Sequence, residues 1–373
     1  AFDHPEVDSR HSDQNLDLNY LSVVYPVPVL VLGRNVSLAL NYQRKYDLSR
    51  KFSLDYTTAF ASRSGTATTS ALRLDFDQEG GLSTLTPAIA MEVTHRLSFG
   101  AAFNFWESSF LNDNGWTQTT RQRGLSLSRG VPFILNSNVR EEYENFSGFN
   151  MTLGGLWNFR EKWRLGVRYD TAFTADADYS RTGTTLRINL AAPGRGFAMS
   201  ARPQRVREER EVRFPDSLAI GLAYQPNDRL TVSFDLTQTD WNDFYVRLGN
   251  GAKRSLVDFS TLDNRWRRPH FEPTLAVRFG AEYVFIPREP QETLNRLWTL
   301  RGGLFMDEEP ATGRKPRFAI PTDQGDGEPD QFYGFSLGLG LLLNQRINLD
   351  AAYQLRHGSG VNKDFIRGVR GFE

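Results

Sequence analysis

The feature that most constrains the fold of this 373-residue chain is a regular alternation of apolar and polar residues that recurs along its length. It is clearest in the segment 214–244, where two alternating runs are joined by the short stretch 226–229. One face of the second run is wholly apolar and consists of Leu230, Val232, Phe234 and Leu236. Because a period of two is that of a β-strand, each run predicts a strand with one face toward an apolar medium and the other toward water.

The same alternation predicts twelve strands, whereas amphipathic helix periodicity is scarce. The predicted strands lie near 16–26, 35–49, 82–93, 97–107, 145–159, 163–179, 216–225, 230–244, 273–285, 297–307, 333–343 and 347–357. Short connections at 27–34, 94–96, 160–162, 226–229, 286–296 and 344–346 alternate with long ones at 50–81, 108–144, 180–215, 245–272 and 308–332. Strands of roughly 10–15 residues in this rhythm predict a transmembrane antiparallel β-barrel with tight periplasmic turns and long extracellular loops.

Composition narrows the class of protein. Lys and Arg together number 44, as do Asp and Glu, so no net charge indicates a nucleic-acid partner. The chain contains no cysteine, which excludes disulfides and thiolate sites. The most apolar window, 21–33, is too short for a membrane-spanning helix and contains two prolines. Residues 1–13 lack the basic start and apolar run of a signal peptide, so we expect a mature or fragmentary chain.

Aromatic residues are concentrated near the predicted strand ends. Those beside short connections are Trp157, Phe159, Trp163 and Tyr224, and those at the far end of the 216–244 hairpin are Trp241, Phe244 and Tyr245. This distribution predicts two aromatic girdles at the membrane interfaces. The alternative is a soluble core, but the opposing faces carry charges such as Arg278 and Glu282, which would need buried partners there. A water-filled barrel interior accommodates them more readily.

Four segments, 97–106, 214–244, 297–311 and 333–358, resemble the long-chain fatty-acid transporter family of the outer membrane, the FadL type. The order "PD…GLAY…L…D…T.W..F" within 214–244 carries most of the resemblance. It implies one domain over residues 1–373, a monomeric barrel that has 14 strands in the family, and an N-terminal hatch. By strand order, the first strand, the last strand and the hatch are missing from this sequence. Either the chain is a fragment, which we favour, or its barrel closes with twelve strands.

The resemblance implies passive uptake of long-chain fatty acids or other hydrophobic compounds, by loop capture, passage through the lumen and lateral exit. By strand order, the capturing loops are 108–144 and 180–215. The apolar residues that we predict to bind the compound are Phe110, Leu111, Trp116, Val131, Phe133, Ile134 and Leu135. Alternatively, these residues pack the loop onto the barrel rim. Outer-membrane lipid and lipopolysaccharide are the other expected partners, and no cofactor is implied.

The resemblance also implies a kinked strand with a lateral opening, which matches Asn41, Tyr42 and Gln43. Many family members have glycine where this chain has Gln43, and the alternative is a regular strand. The charged residues predicted to face the lumen are Arg164, Arg168, Arg278, Glu282, Arg301, Asp350 and Arg356. The arginines could hold a carboxylate head group, or they could pair with neighbouring acids as struts across the lumen.

Other functions have weaker support in the sequence. The acidic run 323–330 misses the ligand spacing of a calcium loop, and the five histidines have no metal-ligand spacing, so we predict no metal site. No G-x-S-x-G motif is present, and no enzyme activity is expected. Two alternatives remain open. One is a non-transporting barrel that serves as shuttle or anchor for a secretion or surface complex. The other is an outer-membrane hydrolase that uses rim residues such as Asp240, Asp243 and His270.

Overall fold

The computed structural model describes residues 18–61, 67–108, 113–128, 131–190, 199–254, 273–286, 296–312, 329–344 and 347–358. Within these ranges the chain forms eighteen strands and one short 3₁₀ helix, Trp241–Asp243. The strands are β1 Tyr20–Pro26, β2 Val36–Asp47, β3 Arg50–Ala61, β4 Ala67–Thr94, β5 Leu97–Trp106, β6 Gly115–Ser128, β7 Val131–Arg160, β8 Trp163–Asp170, β9 Phe173–Asn189, β10 Met199–Phe214, β11 Ser217–Asn227, β12 Leu230–Thr239, β13 Tyr245–Arg247, β14 Lys253–Arg254, β15 Thr274–Phe285, β16 Arg296–Thr312, β17 Pro329–Leu343 and β18 Ile347–Gly358. Among these residues no helix is both long and apolar enough to cross a bilayer.

All eighteen strands belong to one antiparallel sheet, which confirms the all-β prediction. Each of the twelve predicted segments contains a strand or part of one, although 163–179 covers β8 and the start of β9, and 230–244 runs past β12 into the 3₁₀ helix. Successive segments pair as an antiparallel meander, and tight turns join β4 to β5, β7 to β8 and β11 to β12. We call the end that carries these turns the short-turn end. In the described ranges β1 pairs only with β2, and β18 only with β17, so these two strands are the edges of the sheet and do not pair with each other.

The long connections are not loops over much of their length, and this prediction was wrong. Strands β3, β6, β9 and β10, together with the first halves of β4 and β7, form a sheet that we call the extension. The alternation continues there: Leu72, Leu74 and Phe76 are buried, and charged residues stand between them. Strands β4 and β7 have 28 and 30 residues, far more than the roughly ten that a bilayer needs.

The register of the β11–β12 hairpin places its two faces as the alternation predicts. Ile220 lies opposite Leu236, and Leu222 lies opposite Phe234. On this outward face Ile220 is 42% exposed and Phe234 is 43% exposed. So much exposed apolar surface along a whole strand face is favourable only in an apolar surrounding. The inward face pairs Gly221 with Asp235, as expected for a strand that separates lipid from water.

The predicted aromatic girdle is present at the short-turn end and was wrong at the other end. The outward rings of Trp163 and Tyr224 stack with centroids 4.4 Å apart, and Phe159 lies 6.4 Å from Trp163. At the opposite end, Trp241 and Phe244 pack into an interior cluster instead. The 3₁₀ helix that follows β12 redirects the chain there, so the period-two pattern no longer describes which way these side chains point.

The outward face of the extension carries ion pairs in its part nearer the membrane-length strands. Glu142 accepts hydrogen bonds from Arg140 Nε at 2.8 Å and from Ser180 Oγ at 3.0 Å. The bond from Arg140 is the largest of the effects that hold the pKa of the Glu142 carboxyl below its ordinary value. A depressed carboxyl pKa stabilises the fold above the ordinary value, and this contribution is lost as the pH falls through the lowered pKa.

We therefore expect Glu142→Gln to lower the free energy of unfolding by up to about 1 kcal/mol at pH 7. The difference from the wild type should shrink steadily as the pH is lowered, because wild-type Glu142 itself becomes neutral. Thermal unfolding across an acid pH series measures this. The exposed neighbour Glu144, changed to Gln, is the control and should show a much smaller difference. A Glu142→Gln deficit that persists unchanged in acid would contradict the assignment.

Candidate functional site

Six aromatic side chains pack together on the inward face, where the membrane-length strands pass into the extension. We call them the aromatic cluster: Tyr46, Trp106, Phe146, Phe173, Phe214 and Phe244. They come from β2, β5, β7, β9 and β10 and from the residue before β13. Such a cluster brings together positions that are distant in the chain.

The rings of the aromatic cluster stack in layers. Trp106 lies 5.1 Å from Phe173 with planes 17° apart, and Phe173 lies 5.0 Å from Phe214 with planes 9° apart. Phe146 has no exposed surface and meets Phe214 edge-on at 5.9 Å. Aromatic pairs of this kind contribute about 0.5–1.5 kcal/mol beyond their buried area. The rings cover one another, since Trp106, Phe173 and Phe214 are each at most 7% exposed, so an apolar molecule can pass this level only if the rings move apart.

A bulge in β7 brings Phe146 into the cluster. The register shifts between Glu144 and Ser147, so the intervening residues do not follow the alternation. Asn145 has a φ of 53°, in the left-handed region that asparagine tolerates better than most residues, and its Nδ2 donates to Asp178 at 2.7 Å. The sequence analysis did not single out Phe146. Its position on the even-numbered face of the predicted strand 145–159, shared with Asn150 and Gly154, was the available signal.

A polar cap lies beside the aromatic cluster on the extension side. The Arg210 guanidinium stands 3.2 Å above the ring of Tyr179, and its Nη1 donates to the Tyr143 hydroxyl at 2.6 Å. Arg210 Nε also donates to Glu208 at 2.7 Å, and the Tyr179 hydroxyl donates to Glu141. Burial raises the pKa of both Tyr143 and Tyr179, so both phenols stay neutral. The polar cap thus links β7, β9 and β10, because the Arg210 guanidinium of β10 contacts Tyr143 of β7 and Tyr179 of β9.

Toward the short-turn end, a cavity of about 810 Å³ lies against strands β2, β4, β5, β7, β8 and β11. The inward positions of its wall are mostly glycine and alanine: Ala39, Ala88, Ala90, Gly100, Ala102, Gly154, Gly166, Ala219 and Gly221. Arg168, Asp235 and Arg278 stand at its border. Because these wall residues project no more than a methyl group, the wall is smooth and largely apolar.

Charged side chains cover the inward face of β15–β18. Arg301 donates from Nε to Glu282 at 2.7 Å and from Nη1 to Asp350 at 2.5 Å, and Arg278 Nη2 lies 2.8 Å from Asp307. Of the other predicted lumen arginines, Arg168 lies 3.1 Å from Asp170, and Arg164 donates to Gln225 at 3.1 Å. The Arg356 guanidinium lies 3.8 Å from the centre of the Phe332 ring. These contacts support the alternative role as struts. Binding of a substrate carboxylate stays a prediction.

The residues predicted to form one capture groove are spread along the extension. Trp116 stacks on Tyr143 at 4.2 Å, beside the polar cap. Val131, Phe133, Ile134 and Leu135 lie at the other end of the β6–β7 hairpin. Ile134 pairs with Leu125 of β6. Because a strand rises about 3.3 Å per residue, Leu125 lies about 30 Å along β6 from Trp116, so the two groups are far apart. Phe110 and Leu111 lie outside the described residues, as do His270 and most of the acidic run 323–330.

The far end of the extension has an exposed apolar patch on its outward face. Ile134 pairs with Leu125 and with Ile188, and Met199 pairs with Ile188. Leu125 is 52% exposed, Ile134 37% and Met199 69%. The sequence analysis missed Leu125 and Met199, because the segments that carry them were assigned to loops. Their alternation with polar neighbours, as in 125–128, was the available signal.

The predicted lateral opening does not coincide with a break in β2. Asn41, Tyr42 and Gln43 pair with both β1 and β4 without a gap. Asn41 Oδ1 accepts from Ser22 Oγ at 2.6 Å, which reinforces the β1 side. The irregularity lies further on, where Lys45 is an extra residue between Arg44 and Tyr46. This bulge turns Tyr46 inward to the aromatic cluster.

Comparison with known proteins gives a family and several similar structures. The model of the family "Outer membrane protein transport protein (OMPP1/FadL/TodX)" matches residues 29–365. A Pseudomonas aeruginosa FadL homologue is 15% identical, with a TM-score of 0.47 over 90% of this chain and 74% of that chain. The P. putida toluene transporter TodX is 14% identical, with a TM-score of 0.40 over 90% of this chain and 79% of that chain. The CymD monoaromatic hydrocarbon channel is 14% identical, with a TM-score of 0.41 over 91% of this chain and 82% of that chain. No curated protein sequence matches the chain.

Proposed function

This chain belongs to the outer membrane protein transport family (OMPP1/FadL/TodX), and we propose that it passes hydrophobic compounds passively from outside the cell into the outer membrane. Membership confirms the resemblance noted in the sequence, the β-barrel fold class and the outer-membrane location. With the family's orientation, the short-turn end is periplasmic and the extension is extracellular. The family is one of transport proteins, which favours transport over the hydrolase alternative.

The aromatic cluster is the observation that carries this proposal. It lies on the inward face, between the extension and a smooth cavity that strands β2 to β11 line. A hydrophobic compound would leave water on the inward side of the extension, pass the rings as they move apart and slide along the glycine and alanine wall. The step that leaves water for apolar contact is favoured by roughly 0.8 kcal/mol per CH₂ group. No energy source or cofactor is required.

For the substrate we propose apolar molecules with a flat ring or a thin acyl chain. Aromatic rings that part from a stack of about 5 Å spacing offer contact to both shapes. Monoaromatic hydrocarbons and toluene are the compounds named for two of the similar structures. Long-chain fatty acids remain in the class, with inward arginines such as Arg168 available for a head group.

Lateral exit into the bilayer completes the route. We place it beside the edge strand β1, whose Val24 lines the cavity and which pairs only with β2 within the described ranges. A compound released there enters lipid and does not pass through periplasmic water. The chain acts as a single domain in this scheme, because all its described strands belong to one sheet.

The proposal is tested by filling the cavity. Gly154 and Ala219 line it, and the nearest atom to an added Cβ at Gly154 is 3.9 Å away. We expect the double variant Gly154→Trp/Ala219→Trp to reduce uptake of radiolabelled toluene and oleate toward the level of protein-free vesicles. The route would be blocked while the outward face and the strand pairing stay intact. Uptake into reconstituted vesicles is the measurement.

The matched control is Gly154→Ala/Ala219→Ser, which changes the same positions without filling the cavity and should transport normally. Heat-modifiable migration on a gel verifies that each variant is folded. A folded tryptophan variant with full uptake would contradict passage along this wall. Wild-type vesicles that take up neither compound, while the extension retains a stoichiometric protein partner, would favour the shuttle or anchor alternative.

A further inference from the structure

The connection between β1 and β2 differs from the other turns at the short-turn end. Residues 23–33 read VVYPVPVLVLG, and the Tyr25 hydroxyl is their only polar side-chain group. The neighbouring turns contain His95 and Arg96, Glu161 and Lys162, and Asp228 and Arg229. Charged residues are what a turn in periplasmic water is expected to carry, so the first connection meets a different medium.

The apolar side chains of this connection are exposed on both sides of the hairpin. Val29 is 65% exposed, Leu30 64% and Val31 41%. Leu32 reaches 91%, the highest value for a large apolar side chain in the described part of the chain. A strand that separates lipid from lumen has one face with polar side chains, whereas this end of the hairpin has apolar side chains on both faces. Such a surface is stable only where apolar matter surrounds it.

The backbone at the tip is one that leucine rarely adopts. Val31 and Arg34 exchange two backbone hydrogen bonds of 3.0 Å, so Leu32 and Gly33 form a two-residue turn. Their φ values are 52° and 72°. A turn with two positive φ values favours Asn-Gly, and the left-handed conformation is unfavourable for leucine. A strained, fully exposed leucine indicates that its side chain has a use outside the hairpin.

We propose that this turn inserts into the periplasmic leaflet of the outer membrane and anchors the β1–β2 edge of the barrel. The apolar surface of the turn continues the outward face of the hairpin, where Leu21, Val23 and Leu38 are 52%, 65% and 43% exposed. Because hydrocarbon offers no hydrogen bonds, the backbone of the turn stays at the head-group level and only its apolar side chains enter the hydrocarbon. Pro26 and Pro28 have no backbone N–H, and the Val27 N–H bonds to Val36.

Charged groups stand where the inserted segment ends. Arg34 follows the turn, and its long side chain can reach the head-group level. Asn35 donates to Glu92 of β4 at 2.7 Å, so polar contacts resume immediately after it. A protein partner would require polar contacts around an apolar centre, which residues 23–33 do not provide. The bilayer is therefore the occupant that fits, whatever compound the barrel transports.

The absence of cysteine from the chain allows a direct test with single-cysteine variants. Leu32→Cys is labelled with an environment-sensitive fluorophore and placed in phosphatidylcholine nanodiscs, where both bilayer surfaces are accessible. The label should emit at shorter wavelength and be quenched by lipids with brominated acyl chains, but hardly by iodide. The control is His95→Cys, on a turn whose histidine side chain is fully exposed. It should show the reverse pattern.

Two outcomes would overturn the proposal. Quenching of the Leu32→Cys label by iodide, as strong as at residue 95, would place the turn in water. Protection from both quenchers would mean that protein covers it, from another part of the chain or from a partner. Leu30→Cys repeats the measurement on a residue without positive φ, so a folding defect of the first variant leaves the test intact.

Discussion

Replacing Phe146 by alanine should lower the free energy of unfolding by about 3–5 kcal/mol, one of the two largest effects that we expect from a single substitution. The side chain has no exposed surface and contacts Trp106, Trp116 and Phe214. Its removal leaves a cavity that the surrounding rings cannot fill, because they are held on different strands. Urea titration of protein folded into lipid vesicles, followed by tryptophan fluorescence, measures the loss.

Phe99→Ala provides a matched comparison for Phe146→Ala. Phe99 is also a strand phenylalanine, but it lies on the outward face and is 51% exposed. Lipid chains can occupy the space left there, so we expect a clearly smaller loss. Equal losses in the two variants would show that the aromatic cluster contributes no more than an ordinary lipid-facing residue. In that case its role in organising the mouth of the barrel would have to be abandoned.

Replacing Gly80 by alanine should destabilise the protein by more than about 4 kcal/mol or prevent folding. Gly80 has a φ of 134°, which residues with a side chain rarely adopt. An added Cβ would lie 2.3 Å from the Gly115 carbonyl oxygen and 2.6 Å from Trp116 Cα, both backbone atoms that cannot move aside alone. The same residue accepts hydrogen bonds at its carbonyl from Leu48 N and Arg44 Nη2, each at 3.0 Å.

Gly154→Ala is the control for this second substitution. Gly154 lies in a strand, has no positive φ, and its nearest neighbour to an added Cβ is 3.9 Å away. We expect it to fold with nearly wild-type yield and stability, since alanine fits the space and disfavours the unfolded chain. The comparison uses folded yield after dilution from urea into vesicles. A Gly80→Ala protein as stable as Gly154→Ala would mean that the β4–β6 pairing is looser than described.

The local alternation of apolar and polar residues was sufficient to predict which side chains face outward on the strands that cross the membrane. Leu230, Val232 and Phe234 face outward because side chains alternate along any strand, and neighbouring strands repeat the same rule. The same rule placed the charged residues Arg278, Glu282 and Arg301 inward, where they pair with one another and with Asp307 and Asp350. Where the pattern is interrupted, as at Asn145 or Lys45, the sequence alone did not show which way the next residues point.

Pairing between distant segments decided what the pattern left open. Residues 115–128 were assigned to a loop, but they are a strand because β4 on one side and β7 on the other supply partners for their backbone groups. The predicted capture residues were treated as one group, yet strand length separates Trp116 from Val131. Proximity in sequence did not translate into proximity in space, because a hairpin of extended strands places its two ends far apart.

The sequence by itself determined the class of the fold and the faces of most membrane-length strands, and it carried the resemblance to the family, because each depends on residue order within single segments. Only the tertiary structure decided where function is concentrated. The aromatic cluster needs rings from β2, β5, β7, β9 and β10 at one level of the barrel, and that level is set by bulges and strand register. The strained exposure of Leu32 likewise follows from a backbone conformation that no local pattern specified.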